Sequence, residues 1–184
     1  MPLAPQFLPQ ALEADDCARL IALAGARPLR DGGLVGGNTE HRIRRADIAW
    51  LDDLPQAEWV MDKLVALVGQ ANRDHFGLDL TDFGESAQIA RYGADRSGHF
   101  DWHADIGAGT WAARRKLTIV VQLSEPADYH GGALELWPSS ATATAPRERG
   151  LATIFPAFTL HRVTPVTAGT RWSLTLWAHG PAFR

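Results

Sequence analysis

The sequence predicts an α+β fold in which N-terminal helices buttress a double-sheet jelly roll, a double-stranded β-helix. Two observations lead to this prediction. Apolar residues recur at helical spacing in two segments before residue 82, and short apolar runs separated by turn residues follow. The 184 residues suffice for one domain with a sizeable core. We therefore predict a single domain over 1–184, with helical support over about 1–82 and the jelly-roll core over about 83–184.

The N-terminal part contains two predicted helices. The first covers roughly residues 11–26, and the second starts near Pro55, which suits a first helical turn, and carries an apolar stripe over 60–71. Between them, the glycine-rich residues 31–38 predict a mobile loop, and weak alternation predicts a strand over 43–51.

The rest of the chain predicts strands. Glycine and proline residues punctuate short apolar runs throughout this part of the sequence. The predicted strands cover residues 86–92, 117–123, 133–136, 151–155, 160–163 and 170–177. The alanine- and threonine-rich residues 141–146 predict a hairpin region.

Composition argues against several classes of partner and location. A net charge of −3 and a pI near 6.1 provide no basic surface for nucleic acid. No apolar stretch is long enough to span a membrane, and the N-terminus lacks the pattern of a signal peptide. The single cysteine, Cys17, fits a reducing compartment and a buried structural thiol. We therefore expect a cytoplasmic protein, whose oligomeric state the sequence does not indicate.

The strongest chemical signal is the run His103-Ala-Asp105, which a distant His161 can complete. On a strand, residues two apart lie on the same face, so His103 and Asp105 would project together. Two histidines and one carboxylate form the facial triad of non-heme Fe(II) oxygenases. The alternatives are a surface His-x-Asp pair and a hydrogen-bonded core histidine at 161.

Arg171 begins an alternating run over 171–177, in which Arg171 and Ser173 share one face. If that face points inward, the buried guanidinium requires an anion, and a carboxylate matches its planar fork of donors. If it points outward, Trp172, Leu174 and Leu176 would pack in the core instead. Periodicity alone favours the outward arrangement.

Taken together, the motifs between about residues 88 and 177 resemble those of the 2-oxoglutarate- and Fe(II)-dependent dioxygenases, specifically the prolyl-4-hydroxylase-like group. The resemblance rests on the order and spacing of several short motifs. These are Tyr92-Gly93, His103-Ala-Asp105, residues 115–123 (RKLTIVVQL), residues 131–136 (GGALEL), Phe155-Pro156, residues 161–166 (HRVTPV) and residues 169–172 (GTRW).

The resemblance implies a set of site residues and cofactors. It implies Fe(II) as the metal and 2-oxoglutarate as the cosubstrate, with ascorbate as a further candidate. The implied iron ligands are His103, Asp105 and His161. The implied cosubstrate residues are Arg171 for the C5 carboxylate, Ser173 beside it, and Tyr92 near the metal. Thr118 and Gln122 would face the pocket, although family members often carry tyrosine at the position of Gln122.

The implied activity is hydroxylation of an aliphatic C–H of an amino acid, peptide or protein side chain, with release of succinate and CO2. Its partners would be dioxygen and that substrate, with neither nucleic acid nor membrane. The glycine-rich loop and the basic residues up to Arg45 form either a positively charged lid or an ordinary solvated loop. Two other classes remain open: a cupin-like metalloenzyme without 2-oxoglutarate, and a non-catalytic jelly-roll binding module using some of the seven tryptophans.

Overall fold

Two antiparallel sheets form the core of the protein in a computed structural model, which describes residues 4–32 and 40–183. The strands are β1 (Gln6–Leu8), β2 (Arg30–Asp31), β3 (Arg44–Arg45), β4 (Asp47–Trp50), β5 (Gln88–Gly93), β6 (His99–His103), β7 (Arg115–Gln122), β8 (Tyr129–Gly131), β9 (Leu134–Trp137), β10 (Ala143–Thr144), β11 (Ala152–Pro156), β12 (Leu160–Val163) and β13 (Val166–His179). The larger sheet has the order β1-β11-β7-β13-β5-β4-β2, with β8 also paired to β13. The smaller sheet has the order β10-β9-β12-β6-β3.

The two helices, α1 (Ala14–Gly25) and α2 (Val60–Ala71), cover the outer face of the larger sheet. Leu20 of α1 and Leu64 of α2 share a buried apolar cluster with Ile119 of β7 and Leu174 of β13. A short π-helical turn extends α2 to Phe76, which joins the same cluster. Burial of this cluster supplies the hydrophobic free energy that holds the helices on the sheet.

A second apolar cluster lies between the two sheets. Tyr92 and Val120 of the larger sheet pack there with Leu136 and Val163 of the smaller one. Strand β13 therefore has two buried faces, because its residues alternate between the helical layer and the space between the sheets. This arrangement places polar side chains of β13 in the interior.

The predicted α+β jelly roll with buttressing helices is confirmed. Both helices lie within the predicted segments, and each predicted strand coincides with an observed one to within a few residues. The predicted hairpin region contributes β10, which pairs with β9. The first 82 residues supply more than helical support, since β1, β2 and β4 join the larger sheet and β3 joins the smaller.

None of the helices in the described part of the chain is long and apolar enough to cross a membrane.

Candidate active site

Antiparallel pairing of β12 with β6 brings His161 beside His103. The two imidazoles and the carboxylate of Asp105 converge, and their candidate ligand atoms all lie within 4.8 Å of one another. Nε2 of His103 lies 3.7 Å from Oδ1 of Asp105, and Nε2 of His161 lies 3.6 Å from Oδ2. The structure thus brings together the three residues that the sequence singled out.

The expectation that His103 and Asp105 occupy one face of a strand is wrong, because β6 ends at His103. Asp105 lies in the bend that follows, where its amide donates a 2.9 Å hydrogen bond to the carbonyl of Ala157. This bond ties the bend to the turn before β12. The position of the Asp105 carboxylate is therefore set by this bend and its hydrogen bond to Ala157, and not by the alternation of side chains along a strand.

Backbone carbonyls orient both imidazoles. Nδ1 of His103 donates to the carbonyl of Asp101 at 2.8 Å, and Nδ1 of His161 donates to that of Thr159 at 2.9 Å. A carbonyl oxygen can only accept, so each Nδ1 carries the proton and each Nε2 presents its lone pair towards Asp105. Carbonyl-held histidines of this kind are typical of metal sites.

The surroundings keep His103 neutral and Asp105 ionised. Burial, together with neighbouring His161, lowers the pKa of His103 to about 3. Burial alone would raise the pKa of Asp105, but a 2.6 Å hydrogen bond from Thr118 and the positive charge of Arg115 are among the causes that bring that pKa below its usual value. A neutral imidazole and a carboxylate are the protonation states that a metal ligand needs.

Aromatic rings pack against both imidazoles. The ring of His103 stacks on that of Phe100, with 3.4 Å between the ring centroids and 11° between the planes. The ring of Phe155 packs against that of His161, with 4.8 Å between the ring centroids. These contacts limit the rotation of the imidazoles. A fixed set of two nitrogens and one carboxylate oxygen, all facing one point, fits a metal such as Fe(II) and leaves coordination positions open.

The three residues open into a cavity of about 610 Å³ between the sheets. This volume lies within the roughly 300–1,000 Å³ range of small-molecule sites. Apolar walls come from Val120, Leu134 and Val163, and polar groups of the larger sheet face them. The polar lining residues include Gln88, Tyr92, Arg115, Arg171, Ser173 and Thr175.

Arg171 is the most deeply buried cation of this cavity, with 2% of its surface exposed. Its Nη1 lies 3.5 Å from Oγ of Ser173, and its Cζ lies 5.4 Å from the ring centroid of Tyr92. Within residues 4–32 and 40–183, no carboxylate oxygen lies within 4 Å of this guanidinium. Burying a cation without a counter-charge is costly, so the site is suited to an anionic ligand.

The inward arrangement of Arg171 is therefore the one observed, although periodicity favoured the outward one. Packing of the apolar residues does not decide which way Arg171 points, because Leu174 and Leu176 on the opposite face of β13 are buried under the helices. The prediction from periodicity assumes that one face of the strand is exposed to solvent. A strand covered on both faces violates that assumption.

The remaining predicted site residues divide into two groups. Tyr92 lines the cavity, and Thr118 reaches Asp105. Gln122 is buried elsewhere: its amide donates to the hydroxyl of Tyr129 at 3.0 Å, beside a much smaller cavity that Arg171 also lines. The residues that line the larger cavity include neither Thr118 nor Gln122, which corrects the expectation that these two side chains face it.

The predicted lid falls partly on residues 33–38, which lie outside the described residues. Of its basic residues, His41 contacts Asp31 at 2.6 Å, and Arg42 points to solvent beside Glu40. Arg44 is buried, lines the cavity and lies over the Phe100 ring at 4.6 Å. Its guanidinium also donates to the side-chain oxygen of Gln88.

The sequence did not predict the ionic cluster of Arg115, Glu85 and His179, in which Arg115 and His179 are buried and Glu85 is half-buried. Arg115 belonged to a recognised motif without a role, and no spacing linked the other two residues to it. They meet only because β7 pairs with the end of β13 and the chain before β5 folds over both. Arg115 is one of three consecutive basic residues, Arg114-Arg115-Lys116, at the start of β7, and this run is typical of a solvated surface.

Comparison with known proteins is consistent with this geometry. Residues 87–179 match the 2OG-Fe(II) oxygenase superfamily. A PKHD-type hydroxylase from Paracoccus denitrificans is 36% identical over 81 residues, which cover 44% of this chain and 36% of that protein. A PKHD-type hydroxylase from Azoarcus sp. is 34% identical over 85 residues, covering 44% and 37%. The chain thus matches about a third of the length of these curated relatives.

Solved structures show the same architecture. A Pseudomonas putida prolyl-4-hydroxylase superposes with a TM-score of 0.75 at 27% identity, covering 97% of this chain and 94% of that one. A Trichoplax adhaerens prolyl hydroxylase superposes with a TM-score of 0.81 at 18% identity, covering 95% and 83%, which shows the shared fold. The family match spans half of the chain and contains all three residues of the His-Asp-His group. The chain therefore belongs to the 2OG-Fe(II) oxygenase superfamily.

Proposed function

We propose that the protein is an Fe(II)- and 2-oxoglutarate-dependent oxygenase that hydroxylates an aliphatic C–H of an amino acid, peptide or protein side chain. One observation carries the proposal: the His103, Asp105 and His161 group and the buried Arg171 line the same cavity. A metal and a dicarboxylate could therefore occupy one cavity. Family membership supplies the matching cofactors, Fe(II) and 2-oxoglutarate.

In this proposal, His103, Asp105 and His161 hold the iron, and Arg171 binds the C5 carboxylate of 2-oxoglutarate. Ser173 adds a hydroxyl beside the guanidinium, and Tyr92 forms the adjoining wall. When bound, the iron would supply oxidative decarboxylation of 2-oxoglutarate by dioxygen, in which one oxygen atom enters succinate, CO2 is released and the other oxygen atom hydroxylates the substrate. The protein binds and orients both groups.

The walls of the cavity perform the remaining task, which is exclusion of water. Val120, Leu134 and Val163 bring apolar atoms from both sheets towards the iron site. An apolar enclosure strengthens the electrostatic contacts at Arg171 and shields the reacting groups from bulk water. The half-buried rings of Trp50 and Trp102 also line the cavity and provide apolar surface for a substrate side chain.

The substrate class is supported by the names of the similar proteins, which are PKHD-type and prolyl hydroxylases. A peptide or protein side chain is therefore the first class to test, followed by free amino acids. We also propose a cytoplasmic location, in keeping with the single, buried Cys17. The net charge of −3 argues against nucleic acid as the substrate.

The deciding experiment is an anaerobic titration of the Fe(II)-loaded protein with 2-oxoglutarate, followed by the weak visible metal-to-ligand charge-transfer band. We expect the band in the wild type and its loss in His161→Ala. His130→Ala is the matched control, since His130 is exposed on β8 and lies outside the cavity. This control should retain the band.

Two outcomes would contradict the proposal. Iron binding without the band would favour a cupin-like metalloenzyme that does not use 2-oxoglutarate. Absence of iron binding would favour a non-catalytic jelly-roll module.

A further inference from the structure

The backbone carbonyl of Asp105 accepts a 3.0 Å hydrogen bond from Nη1 of Arg115. Asp105 follows the end of β6, so its carbonyl lies outside the sheet ladder. A buried carbonyl away from a ladder requires another donor, and Arg115 supplies a charged one. The bend that carries the carboxylate is therefore held by a side chain from β7.

Asp105 is anchored at three separate points. Its amide donates to the carbonyl of Ala157, its carbonyl accepts from Arg115, and its carboxylate accepts from Thr118. The first two bonds fix the backbone and the third fixes the rotation of the side chain. Of these three anchors, only Arg115 carries a charge and is itself held by further ionic partners.

Arg115 is itself held by an ionic cluster on the side away from Asp105. Its Nε and Nη2 donate to the two carboxylate oxygens of Glu85 at 2.6 and 2.5 Å. His179, fully buried on β13, places its Nε2 2.9 Å from Oε2 of Glu85. The cluster thus runs from His179 through Glu85 and Arg115 to the backbone of Asp105.

The guanidinium of Arg115 also lies over an aromatic ring. Its Cζ lies 4.1 Å from the ring centroid of Trp177, which lines the cavity. Arg115 lines the cavity as well, but its donors point to Glu85 and to the Asp105 carbonyl. These bonds indicate a structural use of the charge, in contrast to Arg171, whose guanidinium has no carboxylate partner among the described residues.

We infer that Arg115, held by Glu85 and His179, is a positioning residue that sets where the Asp105 carboxylate meets His103 and His161. This inference rests on the proposed function, because it assumes that the three residues bind a metal. Arg115 acts through the backbone of Asp105 and does not touch the metal. Partners of this kind typically alter metal affinity about 10–100-fold when they are removed.

Arg115→Lys tests the inference, because lysine keeps the positive charge but has no planar fork to span Glu85 and the carbonyl together. Arg114→Lys is the matched control. Arg114 is the adjacent residue and pairs with Asp82 at 2.6 Å, and it makes no contact with Asp105. Both variants are compared with the wild type after their thermal unfolding has been measured.

The probe is Co(II) alone, added to metal-free protein without cosubstrate, with its visible d–d bands recorded. We expect Arg115→Lys to bind Co(II) about 10–100-fold more weakly, with a changed band pattern, and Arg114→Lys to match the wild type. A merely structural role would lower the thermal stability of Arg115→Lys without changing its Co(II) spectrum. A wild-type affinity and spectrum in folded Arg115→Lys would overturn the inference.

Glu85→Gln provides a second test if Arg115→Lys does not fold. The amide retains one acceptor for Arg115 but loses the charge that holds the guanidinium, so a weaker change in the same direction is expected. An unchanged Co(II) affinity in this variant would also overturn the inference. Failure of the wild type itself to bind Co(II) would instead refute the proposed metal site.

Discussion

The hydroxyl of Thr118 donates a 2.6 Å hydrogen bond to Oδ2 of Asp105, linking strand β7 of the larger sheet to the bend after β6. The same carboxylate oxygen lies 3.6 Å from Nε2 of His161. Thr118 is fully buried, so this bond is shielded from water. The bond therefore links the larger sheet directly to Asp105, a candidate metal ligand that lies just after β6 of the smaller sheet.

Replacing Thr118 with valine should weaken metal binding. Valine is close in volume but cannot donate, so the Asp105 carboxylate loses the bond that fixes its rotation. We expect the affinity for Fe(II) to fall about 10–100-fold, as measured by anaerobic titration. Thr118→Ser keeps the hydroxyl and should recover most of the loss. Equal affinities for all three proteins would contradict the assignment.

Replacing Arg171 with methionine should raise the concentration of 2-oxoglutarate that the protein requires. Hydrogen bonds to charged groups contribute about 1.5–3 kcal/mol, so loss of the guanidinium predicts at least a tenfold weaker affinity. The charge-transfer titration measures this affinity, and Fe(II) binding without cosubstrate serves as the control. If 2-oxoglutarate binds to the variant as it does to the wild type, Arg171 does not hold the cosubstrate.

Glu85 should make stability depend on pH. Burial raises the pKa of Glu85, but the hydrogen bonds and charge of Arg115 outweigh this effect. The pKa therefore lies below its ordinary value of 4.5. A carboxyl group with a lower pKa in the folded than in the unfolded state stabilises the fold above the unfolded pKa. That stabilisation disappears as the pH falls through the folded value.

Glu85→Gln should therefore lower the free energy of unfolding at pH 7 by on the order of 1 kcal/mol. The difference from the wild type should shrink as the pH falls below about 4.5. Urea unfolding of the metal-free proteins at several pH values measures both effects. Glu58→Gln, at an exposed position, should show neither. A constant difference at all pH values would contradict the role of the Glu85 charge.

Alanine substitutions at Leu64 and at its neighbour Val65 should differ in their effect on stability, because the two residues lie on the buried and the exposed face of α2. Leu64 has no exposed surface and packs in the cluster beneath the larger sheet, whereas Val65 is 37% exposed. We expect Leu64→Ala to destabilise the protein by about 2–5 kcal/mol. Val65→Ala should stay within about 0.5 kcal/mol of the wild type. Similar losses in the two variants, measured by urea unfolding, would show that α2 does not buttress the sheet through this face.

Local patterns in the sequence were sufficient to predict the two helices and most of the strands. The apolar stripe over α2 is a property of neighbouring residues, and so is the alternation within β12 and β13. Short strands such as β1 and β2 were not predicted because they carry too few residues for a period to emerge. Pairing with longer strands makes them part of the sheets.

The sequence by itself determined the chemistry available to the site: two histidines, a carboxylate and an arginine in the order of a known family. Only the tertiary structure decided where these groups point. Asp105 reaches the histidines from a bend that Arg115, Thr118 and Ala157 hold. Arg171 faces inward because the helices cover the opposite face of β13. Both outcomes depend on residues distant in sequence, and a local period carries no information about which elements will pack against a strand.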